Sequence, residues 1–178
     1  MNTALLLIDF VNPLDHPGGA RLAPRALRAA RNTLLLRARR SMRAVHAIYA
    51  NDNFGRWKSD FRQVIEQCEK TPQGRALVSM IRPRTDDLFV LKPRHSAFFS
   101  TPLQPLLEHL RISRLVLTGV AADICVLFTA NDAFLRGYPL WIPADCIASE
   151  TAAIERQTVR YFERVLRADV RPIARRAK

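Results

Sequence analysis

The chain has 178 residues, 48% of them hydrophobic, with 28 lysines and arginines against 16 aspartates and glutamates, a formal charge of +12. That length and apolar share suffice for one sizeable core, and a single domain over residues 1–178 is expected. No apolar run is long enough to span a bilayer, and "MNTALLLIDF" is broken by Asp9 with neither a basic leader nor a cleavage signal, so no membrane association and a cytoplasmic location are expected.

The continuous apolar run "ALLLI" predicts a first strand at 4–8, of the kind a sheet covered on both faces needs. A helix near 24–42 follows. At 100° per residue Leu27, Ala30, Leu34 and Ala38 share one face, while Arg21, Arg25, Arg28, Arg39 and Arg43 share the opposite one. No acidic residue lies between Asp15 and Asp52, so this arginine stripe could attract phosphate by counterion release. It also has the pattern of a solvated helix face, and no RNP, KH or helix-turn-helix pattern accompanies it. Nucleic acid is therefore disfavoured as a partner; a non-catalytic basic module that binds nucleic acid or another polyanion remains the alternative.

Strands are predicted next at 44–50 (AVHAIYA), 87–91, 114–118, 139–143 and 169–173, with helices at 71–82, 102–110, 123–136 and 150–167. The stretch "NDNFGRWKSDF" at 51–61 shows no clear periodicity. Strand and helix in alternation mean right-handed crossovers and an α/β fold with a six-stranded, mostly parallel sheet. The last helix carries Ile154, Val159, Phe162 and Leu166, which suit either a core face or a surface for self-association.

In open sheets of this kind ligands bind outside the carboxyl ends of the strands. Three chemically active side chains fall there: Asp9, Lys92 and Cys125. If the strands are neighbours, a carboxylate, an ammonium and a thiol meet in one cleft. Asp123 is a favoured N-cap type, which would place Cys125 in a first helical turn where free amides and the dipole lower a thiol pKa from ~8.5. Lys92 would add to that shift, Asp9 could accept the proton, and the amides of 121–125 could hold an oxyanion. Each residue also has a plain reading, as buried small hydrophobe, cap or solvated cation, and spacing alone leaves both open. Cys68 and Cys146 read as buried hydrophobes. The cysteine spacing fits neither a disulfide framework nor a zinc cluster, and the four scattered histidines suggest no metal and no cofactor.

Five ordered stretches carry a resemblance over nearly the full length: "LLLIDFVN", "YANDNFGRWKSDF", "LKPRHSAFFSTPL", "LVLTGVAADICVLFTANDAFLRGY" and "IPADCIAS". With them the chain resembles the isochorismatase-like cysteine hydrolases, the superfamily of nicotinamidases, N-carbamoylsarcosine, ureidoacrylate and biuret amidohydrolases, and isochorismatase. The resemblance implies a three-layer αβα, Rossmann-like fold and a triad of Asp9, Lys92 and Cys125. It also implies a cis peptide at Val120–Ala121, an oxyanion hole from the amides of Ala121 and Cys125, and a homo-oligomer. The implied chemistry is cleavage of a C–N bond in a small amide or ureido compound through a thioester.

Two departures narrow this. Where nicotinamidases of this superfamily carry an Asp-x-His metal pattern, the chain reads Asp52-Asn53-Phe54, and no histidine lies between His46 and His95. A metal-independent enzyme with little claim on nicotinamide is expected. Isochorismatase lacks the nucleophilic cysteine, so Cys125 argues against its chemistry. Phe10, Asn12, Phe54, Trp57 and Phe98 are candidate substrate contacts in strand-end loops, with a core reading equally open for Phe54 and Phe98. Trp57 lies between Arg56 and Lys58, cations suited to a carboxylated substrate.

Overall fold

The computed structural model describes residues 2–57 and 60–173. Their elements run β1 (Thr3–Ile8), α1 (Gly19–Arg37), β2 (His46–Asp52), α2 (Phe61–Cys68), α3 (Pro72–Met80), β3 (Leu88–Lys92), α4 (Leu103–His109), β4 (Arg114–Val120), α5 (Leu127–Leu135), β5 (Leu140–Trp141), β6 (Ile147–Ala148) and α6 (Ala152–Arg164). The six strands form one parallel sheet in the order β3-β2-β1-β4-β5, and β6 pairs with β4 beyond the end of β5.

Alternate residues of β1 divide the interior. Leu5 and Leu7 join Leu22, Ala26, Leu36 and Leu77 of α1 and α3, while Leu6 and Ile8 join Leu103, Ala130 and Phe162 of α4, α5 and α6. The sheet is thus covered on both faces, which is why its central strands are apolar throughout. Phe162 and Leu166 belong to this core and Val159 packs against it half-buried, while Ile154 stays exposed. Among the described residues, exposed apolar side chains include Ile124, Phe128, Phe134 and Leu135 along α5 and the turn before it, and Ile154 and Val165 at the two ends of α6.

Two expected elements differ and one is new. The sixth strand is β6, not 169–173, where a single bridge joins Asp169 to Trp141. The ladder stops because the Asp169 carboxylate takes the Arg171 amide at 3.1 Å and Pro172 has no N–H to give. Helix α1 starts at Gly19, runs through the exposed Pro24, and ends before Ala38. Helix α2 was not expected. Asp60 caps it by accepting the amides of Arg62 at 2.9 Å and Gln63 at 3.4 Å, and it buries only Val64 and Cys68, too few apolar positions to show a period.

The arginine stripe is not simply solvated either. Arg21 pairs with Glu150 at 2.7 Å, and Arg25 and Arg28 both reach Glu155, at 2.7 and 3.0 Å. Arg37 is buried against Asp87 at 2.6 Å. These cations tie α1 to the start of α6 and to the strand ends, so much of the stripe is used within the fold.

Candidate active site

Asp9 follows β1, Asp52 and Lys92 end β2 and β3, and Cys125 lies in the turn after β4. The parallel register sets these ends side by side: Asp52 is level with Lys92, and Ile8 with Gly119. At Asp9 the chain takes a left-handed conformation, φ 49°, and its amide donates to Ala50 at 3.0 Å. Gly119 has φ 136°, and a Cβ there would meet the Ile8 carbonyl oxygen at 2.1 Å. Only glycine lets β4 pass so close to β1 at this point.

Lys92 is fully buried. Its Nζ lies 2.7 Å from Asp9 Oδ2, 3.8 Å from Asp52 Oδ2 and 3.6 Å from Cys125 Sγ, and it donates to the Arg94 carbonyl at 3.3 Å. The other oxygen of Asp9 accepts the Asp52 amide at 2.7 Å. Asn51 fixes the loop after Asp9 by a reciprocal pair with Val11, accepting from its amide at 3.2 Å and donating to its carbonyl at 2.6 Å. Carboxylate, ammonium and thiol are therefore in mutual reach. The Val120–Ala121 peptide is cis.

The electrostatics differ from the expectation of an acidic thiol. Burial pushes Cys125 upward, the Asp9 carboxylate adds to that, and Lys92 opposes it without prevailing, so the thiol lies above the ordinary range. The expected helix start is also displaced: Ala122–Val126 form a single π turn, and α5 begins only at Leu127. Asp123 does not cap that turn with its side chain, because its Oδ1 accepts the Ser149 hydroxyl at 2.5 Å. For Lys92, burial favours the neutral form, yet Asp9, Cys125 and Asp52 together outweigh it and keep the ammonium charged. The resting site is an ammonium–carboxylate pair beside a protonated thiol.

The expected substrate contacts divide. Phe10 is fully buried in the core beside α1, because the chain turns inward after the kink at Asp9. Phe98 is also core, stacked near Tyr138 with the Arg136 guanidinium 4.6 Å over its ring. Asn12 holds its own loop by accepting the Leu14 amide at 2.9 Å. Phe54 is half-buried against the core, and Trp57, 82% exposed, is the one candidate fully open to a ligand. His95 was missed: its Nδ1 lies 3.9 Å from Cys125 Sγ. The signal for it was a histidine three residues beyond Lys92 in the same strand-end loop.

Among the described residues no group of three or more His, Cys, Asp or Glu side chains gathers to hold a metal ion, and no helix is long and apolar enough to cross a membrane. Two cavities, the smaller about 480 Å³, lie at the amino ends of the strands, lined among others by Arg37, Arg43 and Arg84 in one and Arg40, Arg114 and Arg171 in the other. Both are at the opposite end of the sheet from Cys125.

The isochorismatase domain model matches residues 3–169. The chain belongs to the isochorismatase family. It is 35% identical over 167 residues to the uncharacterized isochorismatase family protein YaaI of Bacillus subtilis, covering 94% of this chain and 92% of that one. It is similar in structure to the N-carbamoylsarcosine amidase of Thermoplasma acidophilum, with a TM-score of 0.70 at 28% identity over 97% of this chain and 96% of the other. The nicotinamidase of Staphylococcus aureus shares the fold, with a TM-score of 0.72 at 23% identity over 96% and 98% of the two chains. A shorter match, 40% identical over 63 residues, links 35% of this chain to 27% of the ureidoacrylate amidohydrolase of Yersinia enterocolitica.

Proposed function

We propose that this family member is a cysteine amidohydrolase that cleaves a C–N bond of a small amide or ureido compound. The observation that carries the reading is Lys92, whose buried ammonium lies between Asp9 at 2.7 Å and the Cys125 sulfur at 3.6 Å. Its likeness to an N-carbamoylsarcosine amidase across both chains supports the substrate class.

Asp9 takes the Cys125 proton as the sulfur attacks the carbonyl carbon, and Lys92 holds the resulting thiolate and carboxyl group together. The amides of Ala121 and Cys125 receive the oxyanion. Collapse breaks the C–N bond, the nitrogen leaves with the proton from Asp9, and a thioester remains on Cys125. Water, giving a proton to Asp9, then attacks the thioester carbon, the C–S bond breaks with its electron pair on sulfur, and the acid leaves as the proton returns to Cys125. Metal independence follows from the donor set: Asn53 and Phe54 offer no imidazole beside Asp52, whose Oδ1 instead accepts the Phe54 amide at 2.6 Å.

A screen of primary amides, carbamoyl and ureido compounds for ammonia release tests this, with and without chelator. Turnover by wild type, unchanged by chelator and absent in Cys125→Ala, is the expected result. An amide hydrolysed as fast by Cys125→Ala as by wild type would remove the proposal, and activity abolished by chelator would remove its metal-free form.

A further inference from the structure

Arg21, Arg25, Arg28 and Arg37 each meet a carboxylate within the fold. A second set of arginines gathers at the amino end of the sheet, around the larger of the two cavities there, a cleft of about 1230 Å³. We infer that this cleft binds a small phosphate ester, with its organic part on an apolar floor and its phosphate on the arginine rim, at a site separate from Cys125.

Segments distant in sequence build the cleft. Arg39 and Arg40 come from the turn after α1, Arg114 opens β4, Trp141 ends β5, and Arg171 follows α6. The parallel register sets these strand starts level, Arg114 with Thr3 and Val116 with Trp141. Met42, Val116 and Trp141, all buried, supply the apolar floor. Two bonds hold the parts in place: the Trp141 indole N–H donates to the Arg171 carbonyl at 3.0 Å, and the Arg39 guanidinium donates to the Ile173 carbonyl at 2.5 Å.

No aspartate or glutamate lines the cleft. Arg171 is matched from beside it by Asp169 at 2.9 Å. The exposed Arg40 and the half-buried Arg114 have no carboxylate partner and no side-chain hydrogen bond among the described residues. Cations held on one rim by separate segments repel one another, and a bound anion relieves that repulsion. Two unmatched guanidiniums suit a group with two negative charges. A phosphate monoester carries about −1.5 to −2 near pH 7 and offers three acceptor oxygens to their planar N–H forks, whereas a carboxylate carries a single charge.

The floor sets the rest of the ligand. Inorganic phosphate would leave the apolar residues uncovered, while an aromatic or aliphatic ester would cover them. A nucleic-acid strand needs a groove of cations that tracks successive phosphates. The α1 arginines that could extend such a track are held by Glu150 and Glu155.

The test is calorimetric titration of the whole chain with phenyl phosphate. Wild type and Cys125→Ala are expected to bind it alike, one per chain and more tightly than inorganic phosphate. Arg40→Gln and Arg114→Gln should each raise the Kd about 10-fold, as loss of a charged hydrogen-bonding partner does. Arg40 is exposed, so its variant keeps the site testable if Arg114→Gln does not fold. Arg28→Gln should leave the Kd unchanged. Absence of binding at millimolar phenyl phosphate, or a wild-type Kd in Arg40→Gln, overturns the site. Equal weakening by Arg28→Gln overturns it too, because diffuse charge would then explain the binding. Loss of binding in Cys125→Ala would put the ligand at the carboxyl ends of the strands instead. Benzoate bound as tightly as phenyl phosphate overturns the assignment to phosphate, and single-stranded DNA that displaces phenyl phosphate at equal phosphate concentration overturns the small-ligand assignment.

Discussion

Two buried ion pairs sit at opposite ends of the sheet. At the amino end Arg37 meets Asp87 at 2.6 Å, and at the carboxyl end Lys92 meets Asp9 at 2.7 Å. The first is closed: Asp87 also accepts the Arg84 amide at 2.7 Å, Arg37 also donates to Tyr49 at 3.3 Å, and the Tyr49 hydroxyl donates to the Ile81 carbonyl at 2.8 Å. The second is open: the Lys92 ammonium still faces a thiol, at 3.6 Å, and that thiol faces solvent through His95. A closed network fixes a fold; an open one leaves charge available to a reaction. Arginine and lysine match those tasks, the planar fork holding several fixed acceptors and the compact ammonium shifting among them.

The largest expected effect comes from the open end. Cys125→Ala should lower hydrolysis by ~10⁴-fold or more while the urea midpoint barely moves, because the sulfur is a minor part of the packing. Removing one partner of either pair should cost about 3–5 kcal/mol, since a buried charge is left alone. Asp87→Asn and Asp9→Asn are therefore expected to destabilise alike in urea unfolding, yet only Asp9→Asn should abolish turnover at saturating substrate. The comparison breaks if Asp87→Asn, assayed well below its unfolding midpoint, loses activity as completely. Replacing both partners with apolar residues, Arg37→Met with Asp87→Leu and Lys92→Met with Asp9→Leu, sharpens it: stability should recover in both double variants and activity only in the first.

Thiol chemistry gives a smaller effect with a definite sign. Asp9 raises the Cys125 pKa and Lys92 lowers it. Asp9→Asn should thus alkylate with iodoacetamide faster than wild type near pH 8 and Lys92→Met more slowly, although both lose hydrolysis. Slower alkylation in Asp9→Asn would mean that the carboxylate acidifies the thiol instead. Stability follows pH through Cys68, which burial, assisted by Asp15, Asp9 and Glu69, raises from 9.0 to about 12. The folded thiol keeps its proton where the unfolded one loses it, so this contribution is whole below about 9 and fades as pH climbs toward 12. Cys68→Ala should flatten the urea midpoint over that window relative to wild type.

The sequence showed the sheet, four of its strands closely, and the three side chains that meet at its carboxyl end, because apolar runs and strand-end positions are local signals. Phe10 and Phe98 could not be sorted from pocket residues, since the left-handed turn at Asp9 and the Arg136 ring contact exist only after folding. The direction of the Cys125 shift was misread for the same reason. A helix start was expected at Asp123, but that side chain is held by Ser149 from β4's far neighbour segment, a partner 26 residues away. The closeness of His95 to the sulfur was not legible, because that distance depends on how Ser96 and Ala97 attach to α5.

The smallest effect concerns a third ion pair, Arg28 with Glu155 at 3.0 Å, which lies near the surface, with the Arg28 side chain 47% exposed. Solvent screens such a pair, and its net contribution is about 0–1 kcal/mol. Glu155 is also held by the better-buried Arg25 at 2.7 Å, so Arg28→Gln leaves the carboxylate partnered. Arg28→Gln should therefore shift the urea midpoint by less than either buried-pair variant, and the shift should vanish in 1 M salt, where the screening length is about 3 Å. Hydrolysis should not change. The same variant separates the two uses of the arginine stripe. If these cations served a polyanion, single-stranded DNA would bind at low salt, and Arg28→Gln would weaken it and reduce its salt dependence. If they serve the α1–α6 contact, no salt-dependent binding appears and the only trace of the substitution is the small loss of stability.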